Sequence, residues 1–361
     1  MASTAAGIPP VQRMLDVGEG KKLLQIAALM IAIAHVRRKE MQRRWLGGDG
    51  SGSEPVSSGG WQDHPAVPYV LENAMVWTVA YIAQQILPPA DRTRPLLSFF
   101  MLCVKGVVTV DVLVISQKLL CAKMYKHVPY FSERKPPEDF KTIAADYART
   151  NLPDTFVNAA MQLGILYALP DALYEKSRNP GPIRVLPLLA KFLFGRVVVD
   201  VSFGLVHYIM HANQTIYRYV HKRHHEHTAP RTQTNYHFEK LDLFLEAIAP
   251  IYIWLGVMHG IGYPPNLNEQ AVIATTYLYY ESASHSGKEL PAVTWMPLLS
   301  PLIGWFTGSD DRLVEYHTRH HQLFNCNYSI SPWPDKLCGT YRIDLPEAYS
   351  TSKPQVETGD E

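Results

Sequence analysis

Six apolar stretches, at 67–87, 96–122, 156–169, 185–206, 243–263 and 270–280, dominate the 361-residue chain. Several reach the roughly 20 residues that an α-helix needs to cross a hydrocarbon core. Pro88-Pro89, the run Asn179-Pro180-Gly181-Pro182 and Pro264-Pro265 separate them where connections are required. The predicted architecture is an all-α integral membrane protein whose helices pair as transmembrane hairpins. Two stretches carry internal charges, Lys105, Asp111 and Lys118 in one and Lys191, Arg196 and Asp200 in the other. Charge is costly against lipid, so these side chains are expected inside a bundle or near an interface. Helices buried in a soluble bundle meet the same length criterion. A net charge of +1 and a charged fraction of 19% exclude a disordered chain and a polycation that coats nucleic acid. Cys103, Cys121, Cys326 and Cys338 form no CxxC pair, which removes zinc ribbons, thioredoxin-type redox motifs and a disulfide framework.

Upstream, residues 23–36 form an apolar run of 14 between Lys21-Lys22 and a basic stretch at 37–44, with no small-residue cleavage signal after it. An uncleaved anchor or an interfacial helix is expected there. Residues 47–60 are Gly/Ser-rich and read as a flexible linker. The expected organisation is therefore an anchor and linker at 1–64, transmembrane helices and a cytosolic connection at 65–184, the chemical domain at 185–342 and a tail at 343–361. Basic residues set the topology: Lys123, Lys126, Arg134, Lys135, Lys141 and Arg149 mark 123–152 as cytosolic, and Arg218, Lys222, Arg223, Arg231 and Lys240 mark 207–240. The intervening apolar stretches then make two excursions into the membrane, which leaves one cytosolic face.

That face collects the histidines. Twelve of the 15 lie between His207 and His321, most in three clusters: HYIMH (His207, His211), HKRHHEH (His221, His224, His225, then His227) and HTRHH (His317, His320, His321). Positions three and four apart share a helix face, so each cluster is expected to present two or three imidazoles to one point. Imidazole suits Fe, Zn, Cu or Ni, and residue type does not choose among them. Eight imidazoles exceed the four ligands of one tetrahedral zinc, and two metals sharing eight or more is the simplest arithmetic. No HExxH, ExxH or GxSxG occurs, which excludes a zincin protease, a carboxylate-rich di-iron bundle and a serine hydrolase. A basic, His-rich surface for anionic lipid explains HKRHHEH but neither of the other clusters.

The order HxxxH, HxxHH, HxxHH resembles the fatty acid hydroxylase/sterol desaturase superfamily of membrane-bound non-haem di-iron oxidases. HKRHHEHTAPR with its downstream Pro, the His-Ser-Gly at 285–287, and HTRHHQLFNCNYS followed by PDKLCGTYR from Pro334 are all similar to that family's motifs. The resemblance covers about 185–342. It implies a cytosolic, histidine-lined di-iron helical cap with His207, His211, His221, His224, His225, His317, His320 and His321 as ligands and His285 as the ninth. Related branches carry another His where this chain has Glu281, which leaves that residue as a ligand, a partner of a ligand or neither. His227 and His237 are candidates to hydrogen-bond the ligating imidazoles. His35, His64, His127 and His259 are isolated and read as ordinary core or surface residues.

The implied chemistry is O2-dependent oxidation of an unactivated C–H bond at two iron ions, giving an alcohol or a double bond. No haem-binding His-Pro-Gly-Gly segment occurs. By resemblance the electrons come from NAD(P)H through an external donor, cytochrome b5 with its reductase. The implied location is the endoplasmic reticulum, as a multi-pass protein with a cytosolic active site and no nucleic-acid partner. His-Ser-Gly at 285 points to a membrane sterol or sterol-like substrate, as in sterol C4-methyl oxidases or sterol hydroxylases; C5-desaturase-like members, the further sterol case, tend to have Asp after that His. A fatty acid or sphingoid hydroxylase is the alternative, and a catalytically silent metal-binding membrane scaffold is the alternative of another class.

Overall fold

The computed structural model describes residues 66–87, 89–123, 130–131, 140–288 and 313–344, with 19, 21, 22 and 25. Most of the 23–36 run, the 47–60 linker, and the tail after 344 lie outside the described residues. Among those described, the regular elements are helical, and the one named β contact is an isolated bridge between Tyr130 and Lys288.

Helix α1 (Ala66–Tyr81) runs on into a π turn at Ile82–Ile86. Helices α2 (Pro95–Gly106) and α3 (Val112–Lys123) are joined by a π turn at Val107–Asp111. Next come α4 (Phe140–Asp146), α5 (Leu152–Ala168), α6 (Asp171–Ser177) and the 28-residue α7 (Val185–Ala212). A short α8 (Gln214–Ile216) leads into a π turn at Tyr217–His221, followed by 3-10 turns at His224–Glu226 and Thr232–Tyr236. Helix α9 (Lys240–Asp242), a π turn at Leu243–Ile248 and α10 (Ala249–Gly260) follow one another directly. Helices α11 (Leu267–Ser284), α12 (Leu313–Leu323) and α13 (Pro332–Cys338) complete the set.

Each predicted apolar stretch falls on helix, with 96–122 spanning α2, its π turn and α3. Pro95–Leu119 and Lys240–Gly260 are long and apolar enough to cross a membrane. Helix α7 shows how the internal charges are accommodated. Its inner face buries Lys191, Arg196, Asp200 and His207, while Leu186, Val197, Val201 and Leu205 point outward and are about half exposed or more. Polar residues inside and apolar residues outside suit a lipid surround better than water. The buried charges are paired: Lys191 Nζ lies 2.6 Å from Glu269 Oε2, and Arg196 Nε lies 3.0 Å from Asp200 Oδ1. Trp333 donates to Asp200, Ser331 meets the Arg196 guanidinium, and that guanidinium stacks 4.2 Å over the Tyr280 ring. Paired and hydrogen-bonded in this way, buried charge is tolerable.

The apolar core gathers Phe192, Val199 and Phe203 of α7, Trp254 and Met258 of α10, Tyr277 and Tyr280 of α11 and Tyr316 of α12. Helix α11 is central, packed against α1, α3 and α12, and begins with a capping box in which Asn266 and Glu269 satisfy each other's backbone N–H groups. Glu269 therefore both caps α11 and neutralises Lys191. The arrangement brings the C-terminal ends of α7 and α11 together with α12 and the 217–226 segment.

Candidate metal centre

All nine histidines singled out from the sequence and its resemblance converge, in two groups. His207, His211, His221, His225 and His320 form the first, and His224, His285, His317 and His321 the second. Within each group the ligand atoms lie within 4.8 Å of one another. Eight of the nine are buried, and His211 is half-buried.

The expectation that each cluster points at a single place is corrected. Both HxxHH boxes are divided: His221 and His225 join the first group and His224 the second, whereas His317 and His321 join the second and His320 the first. In α12 the reason is the helical repeat. At 3.6 residues per turn, positions four apart differ by about 40° around the axis, while adjacent positions differ by about 100°. His317 and His321 therefore stay together, and His320 turns to the neighbouring group. The second box is not a regular α-helix, as expected from the spacing, but a π turn ending at His221 and a 3-10 turn over His224–Glu226. This change of winding aims three closely spaced imidazoles in two directions, and π turns recur at functional sites.

The ring nitrogens are assigned by their partners. The Nδ1 of His207 is 2.7 Å from the Tyr328 carbonyl, that of His320 2.6 Å from the Cys326 carbonyl, and that of His285 2.8 Å from the Glu281 carbonyl. The Nδ1 of His221 is 3.0 Å from Asp242 Oδ2. Each acceptor requires Nδ1–H to donate, which leaves Nε2 as a bare lone pair in the neutral ring. Two of these bare atoms face each other, His207 and His221 Nε2 at 3.0 Å, and other imidazole pairs meet through Nε2 as closely: His225 and His221 at 3.0 Å, His320 and His225 at 3.1 Å, and His317 and His285 at 2.8 Å. Between His207 and His221 no proton is left to bridge the pair. Two nitrogens bound at about 2.1 Å to one ion lie about 3.0 Å apart at right angles and about 3.4 Å apart at the tetrahedral angle. The residues fit a divalent cation in each group.

Burial also keeps the rings neutral. It holds His224, His225, His317 and His321 well below the ordinary imidazole value, with neighbouring imidazoles adding to the effect. His285 is brought down to about 4 and His320 to about 3, again chiefly by burial, while the hydrogen bonds from their Nδ1 atoms to backbone carbonyls oppose the shift. Neutral imidazole is the form that binds metal.

The carbonyls serving His207 and His320 belong to one loop organised by Asp335. Its carboxylate accepts from the backbone N–H of Tyr328 at 2.9 Å and of Ser329 at 2.7 Å, and also from Thr340 Oγ1 and the Tyr316 hydroxyl. Asn327, in the left-handed region at φ 60°, donates to the carbonyls of Tyr316 and Arg342. The PDKLCGTYR motif thus acts at a distance, by presenting carbonyls to two imidazoles. The loop also lies hard against α7, where a Cβ on Gly204 would come within 2.2 Å of Ser329 Oγ. In the His-Ser-Gly segment, Gly287 has φ +70° and a Cβ there would meet the Pro230 carbonyl at 2.9 Å, which ties that segment to the end of the second box.

The remaining candidates sit differently. Glu281 lends its backbone carbonyl to His285, and its carboxylate belongs to neither group, with Oε1 buried and unbonded. His227 and His237 stack on each other with centroids 4.5 Å apart. Their described hydrogen bonds run to Thr234, Arg231 and Glu226. The partners of the nine clustered rings, besides one another, are Asp242, backbone carbonyls and the Ser284 hydroxyl instead. Asp242 and Glu246, in the Lys240–Gly260 helix, were missed from the sequence. With His221 they form a third buried group whose ligand atoms lie within 4.8 Å of one another. The available signal was two acids four apart at one end of an otherwise apolar segment.

Residues 192–340 match the fatty acid hydroxylase family. The chain is 26% identical to cholesterol 25-hydroxylase of Homo sapiens over 186 residues, 49% of this chain and 62% of that protein. It is 27% identical to a fatty acid hydroxylase of Mycosarcoma maydis over 107 residues, covering 30% of this chain and 26% of the relative. Sphinganine C4-monooxygenase 2 of Arabidopsis thaliana is 24% identical over 163 residues, 44% of this chain and 56% of the relative. The chain thus spans less than two thirds of the length of each. No solved structure matches it. With its ordered histidine boxes, the 192–340 segment belongs to the fatty acid hydroxylase/sterol desaturase superfamily. By their names these relatives are hydroxylases and a monooxygenase.

Proposed function

We propose that the protein is a di-iron oxidase that uses O2 to hydroxylate or desaturate a membrane lipid, with a sterol or sterol-like molecule as substrate. The observation that carries this reading is the opposition of the bare Nε2 atoms of His207 and His221 at 3.0 Å, beside a second buried group of four imidazoles; a cation between the two lone pairs relieves their repulsion. In this reading the nine histidines hold two iron ions, which when bound supply O2 activation and the oxidising power for the C–H bond. The chain's own part is positional. Backbone carbonyls of Tyr328, Cys326 and Glu281 and the Asp242 carboxylate fix the rings. The apolar core keeps bulk water from the buried imidazoles, and the half-buried His211 marks the more open side of the first group.

The likeness to cholesterol 25-hydroxylase supports the sterol reading. Likeness to a fatty acid hydroxylase and a sphinganine monooxygenase favours acyl or sphingoid hydroxylation as the second reading. The outward apolar face of α7 suits a multi-pass protein that takes its substrate from the bilayer, here placed in the endoplasmic reticulum. The basic 207–240 segment suits a cytosolic face where cytochrome b5, reduced by its NAD(P)H-dependent reductase, delivers electrons. Lipid profiling by mass spectrometry of cells lacking the protein tests the substrate. An accumulating sterol precursor with loss of its oxidised product is expected, and accumulation of a sphingoid or acyl precursor instead would replace the sterol reading. Metal analysis of the purified protein tests the chemistry: two irons per chain are expected, and one zinc without O2-dependent activity would make it a silent scaffold.

A further inference from the structure

We propose that Glu246 supplies a carboxylate oxygen to the ion held by the five-histidine group, so that the two metal positions are chemically unlike. The inference rests on the reading that both histidine groups hold metal. Glu246 is 6% exposed, and its Oε1 has no hydrogen-bond partner. That oxygen lies 3.6 Å from His207 Nε2 and 3.7 Å from His221 Nδ1. It is therefore aimed at the edge of the group, beside an atom that has itself been assigned as a bare lone pair. An oxygen and a nitrogen lone pair buried together repel each other unless a cation lies near both or a proton is shared between them.

The sequence context sharpens the oddity. Glu246 sits in the Lys240–Gly260 helix, which is otherwise apolar enough to span a membrane, and acids in such helices mark functional sites. The π turn at Leu243–Ile248 follows directly on Asp242, and the two acids both reach His221. They divide the work. Asp242 accepts from His221 Nδ1 at 3.0 Å and orients that ring, whereas Glu246 Oε1 has no hydrogen-bond partner and is left for the ion. In the four-histidine group the described partners of the rings are one another, a backbone carbonyl and the Ser284 hydroxyl. A divalent ion there is surrounded by neutral ligands, while its neighbour has five imidazoles and one anion. Oxygen donors favour harder, more highly charged ions, so the carboxylate also stabilises the more oxidised state of its own ion.

The test uses the full-length protein in detergent and follows metal release into excess chelator, together with thermal melting before and after complete extraction. In Glu246→Gln, one metal equivalent is expected to leave about 10- to 100-fold faster while the other leaves at the wild-type rate. The metal-free Gln variant is expected to melt no lower than the metal-free wild type, because an amide replaces a buried, unbonded carboxylate. Glu246→Asp keeps the charge at a shorter reach and is expected to release that equivalent at an intermediate rate. This variant also carries the test if the Gln protein does not fold. Unchanged release of both equivalents in either variant overturns the proposal. So does faster release of both with a lowered metal-free melting temperature, which is the signature of a purely structural carboxylate. A wild-type protein that binds no metal at all would instead overturn the underlying metal reading.

Discussion

The two histidine groups share both HxxHH boxes yet are held by different means. The five-histidine group takes its support from afar: a carboxylate in the Lys240–Gly260 helix and two carbonyls of the 326–328 loop. In the four-histidine group the described support is local, with His285 anchored to the carbonyl of Glu281 one turn earlier and His224 stacked flat on Phe238 at 4.6 Å. Because each HxxHH box contributes to both groups, neither can be displaced without moving the other. The difference teaches that the boxes act as splices between two centres, and that the more remotely supported centre is the more vulnerable.

The largest effect is expected from two neighbouring substitutions. His224→Ala and His225→Ala should each reduce turnover by on the order of 10³-fold or more, since in the proposed reading the metals supply the difficult step. Membrane insertion should survive both. Metal analysis separates them: His224→Ala is expected to deplete the four-histidine position first and His225→Ala the five-histidine position. Equal loss of both ions from either variant would show a single inseparable centre, and retained turnover in His224→Ala would refute its role as a ligand.

Acid should act on both groups in the metal-stripped protein. The folded-state values of about 4 for His285 and about 3 for His320 lie below the unfolded value near 6.5. The unfolded chain then binds more protons as pH falls, so stability is fully present above about pH 6.5 and is lost from there toward the folded values. Each such imidazole contributes about 1.4 kcal/mol per pH unit in that window. Melting temperatures at pH 5 and pH 7.5 check this, and a flat profile would mean that the rings are not desolvated.

Asp335→Asn is expected to discriminate between the groups. It weakens four hydrogen bonds that shape the 326–340 loop, at a cost of about 2–3 kcal/mol, and should loosen the five-histidine ion selectively through His207 and His320. Equal loosening of both ions, followed by chelator release, would contradict the division of support. Gly204→Ala pushes the same loop away from α7 and should lower stability by about 1–2 kcal/mol, with partial loss of the same ion. Thermal melting measures the cost. The smallest effect belongs to His237→Ala, which should leave both ions in place and change stability by about 1 kcal/mol or less. Loss of metal in that variant would return His237 to the support of the centre.

Much of the fold is legible in the chain because the signals are local. The apolar stretches fall on helices α1 to α3, α5, α7, α10 and α11, and the charges of α7 turn inward as the cost of placing them in lipid demands. The nine clustered histidines are equally visible, since their spacing and motifs stand apart from chance. Asp242 and Glu246 are harder to see, because two acids at the end of an apolar stretch look like an ordinary polar boundary. The roles of Cys326 and Tyr328 leave no trace in residue type at all, since a backbone carbonyl is common to every residue.

The amino-acid order by itself determined which imidazoles were available and on what kind of scaffold, because apolar length and short-range spacing are properties of neighbouring residues. Only the tertiary structure decided that His224 and His225 part company, that His320 leaves its own helix partners, and that an acid from a distant helix faces His207. Those outcomes depend on the winding of a π turn and on the packing of α7, α11 and α12. Partners more than 30 residues apart meet only once the helices have packed.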